Sequence, residues 1–167
     1  MNTQTDTVAA FTTPAELLEH WQGHQRLTRR TIEAFPEDQL LSFTPVPPMR
    51  PFGMMALEVV QMIEPTVSGL LSGEWVGAQY WQELKQQPTP NKGQLLELWD
   101  RASESLRDQW PQIPAGRFHD VEAVFGIPPT PLKDLVLYQI DNEVHHRAQG
   151  YVYLRLLGIE PPAFWER

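Results

Sequence analysis

The 167-residue sequence has no cysteine, few basic side chains and no long uninterrupted hydrophobic run. The absence of cysteine excludes disulfides, thiolate nucleophiles and thiolate-bound zinc, so any metal ion would depend on His, Asp, Glu, Asn or water. With 13 basic against 21 acidic residues, the net charge of −8 argues against nucleic acid as a partner, because phosphate binding needs clustered Lys and Arg. No run approaches the ~20 apolar residues of a membrane span, and signal-peptide features are missing from the N-terminus. We therefore expect a cytoplasmic protein that neither spans a membrane nor binds nucleic acid.

The length and composition indicate one globular domain covering residues 1–167. An apolar content of 41% with 20% charged residues is typical of a folded protein rather than a disordered one. Residues 1–12 are polar and lack periodicity, which predicts a loose N-terminal arm.

Apolar residues at alternating spacings of three and four predict four long helices. Thr13 followed by Pro14, with Glu16 in the capping-box position, predicts a capped start for the first helix. Thr130 followed by Pro131 predicts a similar start for the last helix. The predicted helices cover residues 14–35, about 51–73, about 92–110 and 131–157.

The segments between these helices are long and rich in proline. A short aromatic helix is predicted at residues 75–86, and the stretch VEAVF at 121–125 could form a brief strand, although no partner strand is evident. Four long helices with little β signal and no internal repeat predict an all-α, four-helix bundle. Its connections between helices 1 and 2 and between helices 3 and 4 are long, and such loops usually cover or shape a site.

The second predicted helix is almost entirely apolar, which requires burial around most of its circumference, and its internal Pro65 predicts a kink or a break. Glu58, Gln61 and Glu64 are the strongly polar side chains between residues 52 and 66. Either Glu58 belongs to a narrow solvent-facing side, which periodicity favours slightly, or it points inward, where a buried carboxylate needs a cation or a metal.

The last helix contains two polar pairs at i, i+4 spacing, Asn142 with His146 and Asp141 with His145. Members of a pair share a helix face, and the two pairs lie about 100° apart, so only one pair can point directly into the bundle. Such a pair can chelate one metal ion, but histidines at helical spacing are also common on solvated faces. Metal ligand, catalytic base and solvated face therefore all remain open from the residues alone.

Two stretches resemble the DinB-like superfamily of metal-binding four-helix proteins, which includes YfiT-like thiol transferases. HHRAQGYVYLRLLGIEPP, from residue 145, is similar to the family's last helix and its exit, and MRPFGMMALEVVQMIE, from residue 49, resembles its second helix. The resemblance spans about residues 14–165 and implies that the family's three-histidine metal site falls on Glu58, Asn142 and His146. Only His146 retains histidine; a carboxylate also binds divalent metals, whereas the neutral amide of Asn142 is a poor ligand for zinc or nickel.

The resemblance implies two alternative functions. In the first, Glu58, Asn142 and His146 hold a divalent zinc or nickel ion, and the protein is an enzyme of the thiol S-transferase or hydrolase type that activates a low-molecular-weight thiol to attack a small electrophile. In the second, the bundle is a stress-related module that has lost metal and catalysis and binds a small ligand in a pocket between its helices. A homodimer is expected from the resemblance and from the six Trp and four Tyr residues. His145 is expected to lie outside the site.

Overall fold

The computed structural model describes residues 11–167, which form a mostly helical bundle with one β-hairpin. The helices are α1 (Pro14–Ala34), α2 (Phe52–Ser72), α3 (Ala78–Lys85), α4 (Lys92–Gln109) and α5 (Leu132–Leu156), and the strands are β1 (Val121–Val124) and β2 (Ile127–Pro131). Two short 3-10 helices, Trp110–Gln112 and Ala115–His119, lie between α4 and β1. The predicted helical bundle is confirmed in this broad form: α3 lies within the short helix predicted at residues 75–86, and the β-hairpin is the feature that the all-α description omits. Most of the predicted N-terminal arm, residues 1–10, lies outside the described residues.

The long helices pack in a ring in which α1 contacts α5, α5 contacts α2, α2 contacts α4 and α4 contacts α1. Neighbours α1 and α4 are antiparallel, as are α2 and α5, whereas α1 and α5 are parallel. The contacts that define these directions are Lys92 with Phe35, Trp110 with Pro14, Phe52 with Gly150, Glu58 with His146, Thr28 with Glu143, and Arg30 with Glu166 beyond the end of α5.

Helices α2 and α4 therefore run in the same direction, so the chain between them must return along the bundle. Helix α2 has 21 residues and a length of ~31 Å, which sets the distance that this return has to cover. Residues 73–91 make the return and contain α3, close to the short helix predicted from the sequence. The sequence predicted long connections at two places, and parallel packing adds this third one.

Helix α2 is mostly buried, and Pro65 lies inside it without breaking it. By length and composition α2 could cross a membrane, but 61% of its most apolar 18-residue window is buried within the protein, as in the core helix of a soluble domain. Gly150 of α5 lets the two helices approach closely, because a Cβ at this position would lie 2.5 Å from the Phe52 ring. This close approach positions the polar side chains that α2 and α5 present to each other.

One predicted helix start is confirmed and the other is wrong. At α1, the Thr13 hydroxyl accepts a hydrogen bond from the Glu16 N–H at 3.2 Å, and the Glu16 carboxylate accepts one from the Thr13 N–H at 2.7 Å. At α5, the helix begins at Leu132, and Pro131 belongs to β2. Thr130 pairs with Glu122 across the hairpin instead of capping the helix.

The hairpin shows where the partner of the predicted VEAVF strand lies. β1 pairs antiparallel with β2, and Phe125 and Gly126 turn the chain with φ angles of 51° and 79°. Positive φ at both turn residues is typical of two-residue hairpins. The β2 sequence IPPTP does not predict a strand, because proline cannot donate to a β-ladder and is tolerated only on edge strands.

Candidate functional site

Glu58 of α2 and His146 of α5 meet at the interface of the two helices. Their Oε1 and Nε2 atoms are 3.5 Å apart, and the His146 side chain is 8% exposed while that of Glu58 is 43% exposed. Glu58 therefore lies at the rim of the interface, between the inward and the solvent-facing positions that the sequence left open. The structure places these two predicted site residues together.

The other two polar residues of α5 differ from His146 in their surroundings. Asn142 lies one helical turn before His146 and is half-buried, and its side chain makes no hydrogen bond within residues 11–167. His145 is exposed, and its Nε2 atom lies 3.0 Å from the Gln149 amide nitrogen. The two adjacent histidines thus face different environments, as the helical geometry predicts.

Arg50 completes this cluster, and sequence reasoning gave it no role. Its guanidinium Nη1 donates to Glu58 Oε2 at 2.5 Å, and its carbonyl accepts a hydrogen bond from the Tyr153 hydroxyl at 3.2 Å, which anchors the backbone that carries it. The hydrogen-bonding contact with His146, followed by that with Arg50, lowers the pKa of Glu58 to about 2 although partial burial opposes this. We refer to Arg50, Glu58 and His146 as the rim cluster.

The donor atoms at this position depart from the ligand set that zinc and nickel prefer. The three residues that the resemblance assigns supply one carboxylate, one imidazole and one neutral amide, whereas structural and catalytic zinc sites use nitrogen, sulfur and carboxylate ligands. The Arg50 guanidinium already binds the Glu58 carboxylate, and its charge would repel a divalent cation.

A groove of about 620 Å³ opens beside the rim cluster, between α2 and the returning segment. Its volume is in the range of small-molecule pockets. We call it the α2 groove. Apolar side chains form most of its walls, namely Met54, Leu57, Met62, Trp81 and Leu84, and polar side chains lie among them, namely Arg50, Glu58, Gln61, Lys85, Gln87 and Thr89.

A second polar cluster is buried between α1 and α5, on the other side of α5. The Thr28 hydroxyl donates to Glu143 Oε1 at 2.6 Å, and Arg147 donates to the Thr28 hydroxyl at 3.0 Å and to the His24 ring at 2.9 Å. Arg147 Nη1 lies 3.7 Å from Glu143 Oε1. His24 is thus a core histidine with a hydrogen-bond partner, and Arg147 pairs with an acid.

Burial shifts the titration of this second cluster strongly. Desolvation raises the pKa of the fully buried Glu143 to about 7, although Thr28 and Arg147 oppose the rise. Desolvation, followed by the charge of Arg147, lowers the pKa of His24 to about 3. Glu143 carried no assignment from the sequence; its i, i+4 spacing from Arg147 on the inward face of α5 was the available signal.

The fold is a helical bundle with one polar cluster between α2 and α5 and a second between α1 and α5. The DinB family profile matches residues 1–167, and the chain therefore belongs to the DinB family. Its fold is similar to that of a DinB-like protein from Bacillus subtilis, YjoA, with a TM-score of 0.71, 19% identity and coverage of 91% of this chain and 99% of that one. A DinB-like protein from Bacillus cereus has a TM-score of 0.69, 21% identity and coverage of 92% and 99%. No curated protein matches the sequence.

Proposed function

We propose that this DinB-family protein binds a small molecule in the α2 groove and does so without a catalytic metal. The observation that carries the proposal is the ion pair between Arg50 and Glu58. It places a protein cation on the carboxylate that the family resemblance assigns to a metal ion, at the edge of a groove of small-molecule size.

The composition of the groove supports the proposal. Ligand pockets are lined mainly by apolar and aromatic side chains, with a few polar groups that fix orientation. Trp81 and the two methionines, Met54 and Met62, supply apolar contact area, and the rim cluster supplies charged groups at one side. Methionine adapts to ligands of different shape because its side chain is flexible and polarisable.

A metal-dependent thiol S-transferase or hydrolase is the second candidate, and the distance of 3.5 Å between Glu58 Oε1 and His146 Nε2 favours it. Two donors this close need only a small rearrangement to share an ion if Arg50 moves away. In that case Glu58, Asn142 and His146 would hold the ion, which would lower the pKa of a bound thiol. Both candidates have a small-molecule partner in the cytoplasm, consistent with the net charge of −8 and the buried α2.

Elemental analysis and probe binding separate the candidates. Untagged protein is exposed to excess zinc or nickel, freed of unbound metal by gel filtration and analysed beside His146→Ala. The proposal expects far less than one ion per chain in both proteins. A stoichiometric ion that His146→Ala loses would replace the proposal with the second candidate.

Ligand binding is measured by fluorescence titration with the neutral probe N-phenyl-1-naphthylamine. Saturable binding is expected, and Met62→Trp should weaken it because the larger side chain fills the α2 groove. Leu17→Trp is the matched control, since Leu17 lines a different groove, between the starts of α1 and α5. Equal binding by parent and Met62→Trp would contradict the assigned groove.

A further inference from the structure

We infer that the ligand of the α2 groove is an organic anion, a carboxylate or sulfonate, with an apolar or aromatic body. This inference rests on the proposed function and concerns the chemical class of the ligand. It follows from the charge of the groove, which has the opposite sign to that of the whole chain.

The charged side chains that line the groove are Arg50, Lys85 and Glu58, which sum to +1 in a chain of net charge −8. Arg50 binds Glu58 directly, so the only carboxylate of the lining is already neutralised within the protein. Lys85 makes no ion pair or side-chain hydrogen bond with the described residues, although it lines the groove. Its ammonium group is therefore the charge that a ligand can use.

Lys85 and the neutral polar side chains of the groove suit an anionic group. Lys85 is the last residue of α3, and Gln61, Gln87 and Thr89 add neutral polar groups to the lining of the groove. A ligand carboxylate can accept hydrogen bonds from an ammonium group and from amides, and such charge-assisted bonds are stronger than neutral ones. A cationic ligand would meet Lys85 and Arg50 without an unpaired carboxylate to balance its charge.

The apolar side chains of the groove suit a flat apolar body. Trp81 is held by edge-on contacts with Phe125 and Tyr80, with ring centroids 5.5 Å and 5.0 Å apart. Met54 and Met62 lie on the α2 side of the same groove, and thioether groups make favourable contacts with aromatic rings. Trp81 and Lys85 are four residues apart on α3 and share a helix face, so an aromatic ring against Trp81 would lie beside Lys85.

Two fluorescent probes with one aromatic scaffold test this inference. 1-Anilinonaphthalene-8-sulfonate carries an anionic group, and N-phenyl-1-naphthylamine lacks it. Lys85→Gln should weaken binding of the sulfonate roughly three- to fivefold, the effect of losing one exposed charge interaction, and leave the neutral probe unchanged. Lys85→Arg should retain the parent affinity for both probes, and added salt should reduce only the affinity for the sulfonate.

The matched control is Lys133→Gln, which removes a lysine from the groove between α1 and α5 and should leave both affinities unchanged. Sulfonate binding that Lys85→Gln does not weaken, or that Lys133→Gln weakens equally, would overturn the inference. If both probes bind with equal affinity and Met62→Trp still weakens them, the anion preference fails while the proposed groove stands. If neither probe binds, the inference and the proposed function fail together.

Discussion

Replacing Glu143 with glutamine removes a carboxyl group that the bundle buries completely. Glutamine has nearly the same shape, and its amide oxygen can still accept the hydrogen bond from Thr28. Arg147 keeps its hydrogen bonds to the Thr28 hydroxyl and to the His24 carbonyl and ring. The substitution therefore tests one quantity, the free-energy cost of ionising a buried carboxyl group.

The direction of the pKa change of Glu143 determines how its contribution to stability depends on pH. Burial raises the pKa of Glu143 from its ordinary value of 4.5 to about 7, so the folded state holds this proton more tightly than the unfolded chain. The contribution of the group to stability is therefore complete below pH 4.5 and is lost as the pH rises through about 7. At ~1.4 kcal/mol per unit of pKa, the difference between the unfolded and folded pKa values of Glu143 corresponds to a loss of about 3 kcal/mol in the free energy of unfolding.

His24 complicates the parent protein, because its pKa is lowered from 6.5 to about 3. Its contribution is present above pH 6.5 and is lost as the pH falls toward 3, opposite in sign to that of Glu143. The stability curve of the parent alone therefore cannot separate the two groups. The difference between Glu143→Gln and the parent isolates the Glu143 contribution.

Urea denaturation followed by far-ultraviolet circular dichroism at pH 4.5, 6, 7 and 8 measures this difference. We expect the free energies of unfolding of Glu143→Gln and the parent to be similar at pH 4.5, and the variant to be more stable by about 3 kcal/mol at pH 8. Glu97→Gln is the control, because the Glu97 side chain is 74% exposed and its replacement should give no such trend. A difference that does not change with pH, or a variant less stable at every pH, would refute the assigned burial cost.

Other predictions address the interface of α2 with α5, the rim cluster and the assembly. Gly150→Ala should lower the free energy of unfolding by about 1–3 kcal/mol, because its Cβ would overlap the Phe52 ring. The control Gly93→Ala should not destabilise the protein, since its Cβ would lie 3.5 Å from its nearest neighbour. Equal effects of the two substitutions in urea denaturation would argue against the close approach of α2 and α5. Glu58 stabilises the folded parent above pH 4.5 and loses this contribution as the pH falls toward 2, because its pKa is lowered in the folded state. Glu58→Gln should therefore lose less stability than the parent over this interval. If the free energy of unfolding falls with the same slope in parent and variant, the rim cluster is contradicted. Light scattering should give twice the chain mass of 19.2 kDa, and Val152→Glu should reduce it to one chain, because Val152 and Leu156 are 53% and 59% exposed on α5; a monomeric parent would reject the homodimer.

The sequence by itself determined the features that depend on neighbouring residues. The Thr13–Glu16 capping box and the apolar periodicity placed the long helices to within a few residues, because caps and helix faces are set within one or two turns. The α2 helix continued through Pro65, since burial of the helix outweighs the loss of one backbone hydrogen bond. The last helix start was misplaced because Thr130 and Pro131 suit a cap and a strand edge equally well, and pairing with Glu122 decided between them.

Only the tertiary structure decided what surrounds each polar side chain. The i, i+4 spacing put Asn142 and His146 on one face, but it carried no information on the guanidinium of Arg50, which reaches Glu58 from the connection before α2. The sequence does not distinguish Glu143 from the other polar residues of α5, and only the parallel packing of α1 against α5 buries it. Periodicity assigns a residue to a face of its own helix, whereas burial, pKa and charge pairing depend on which helix packs against that face and in which direction.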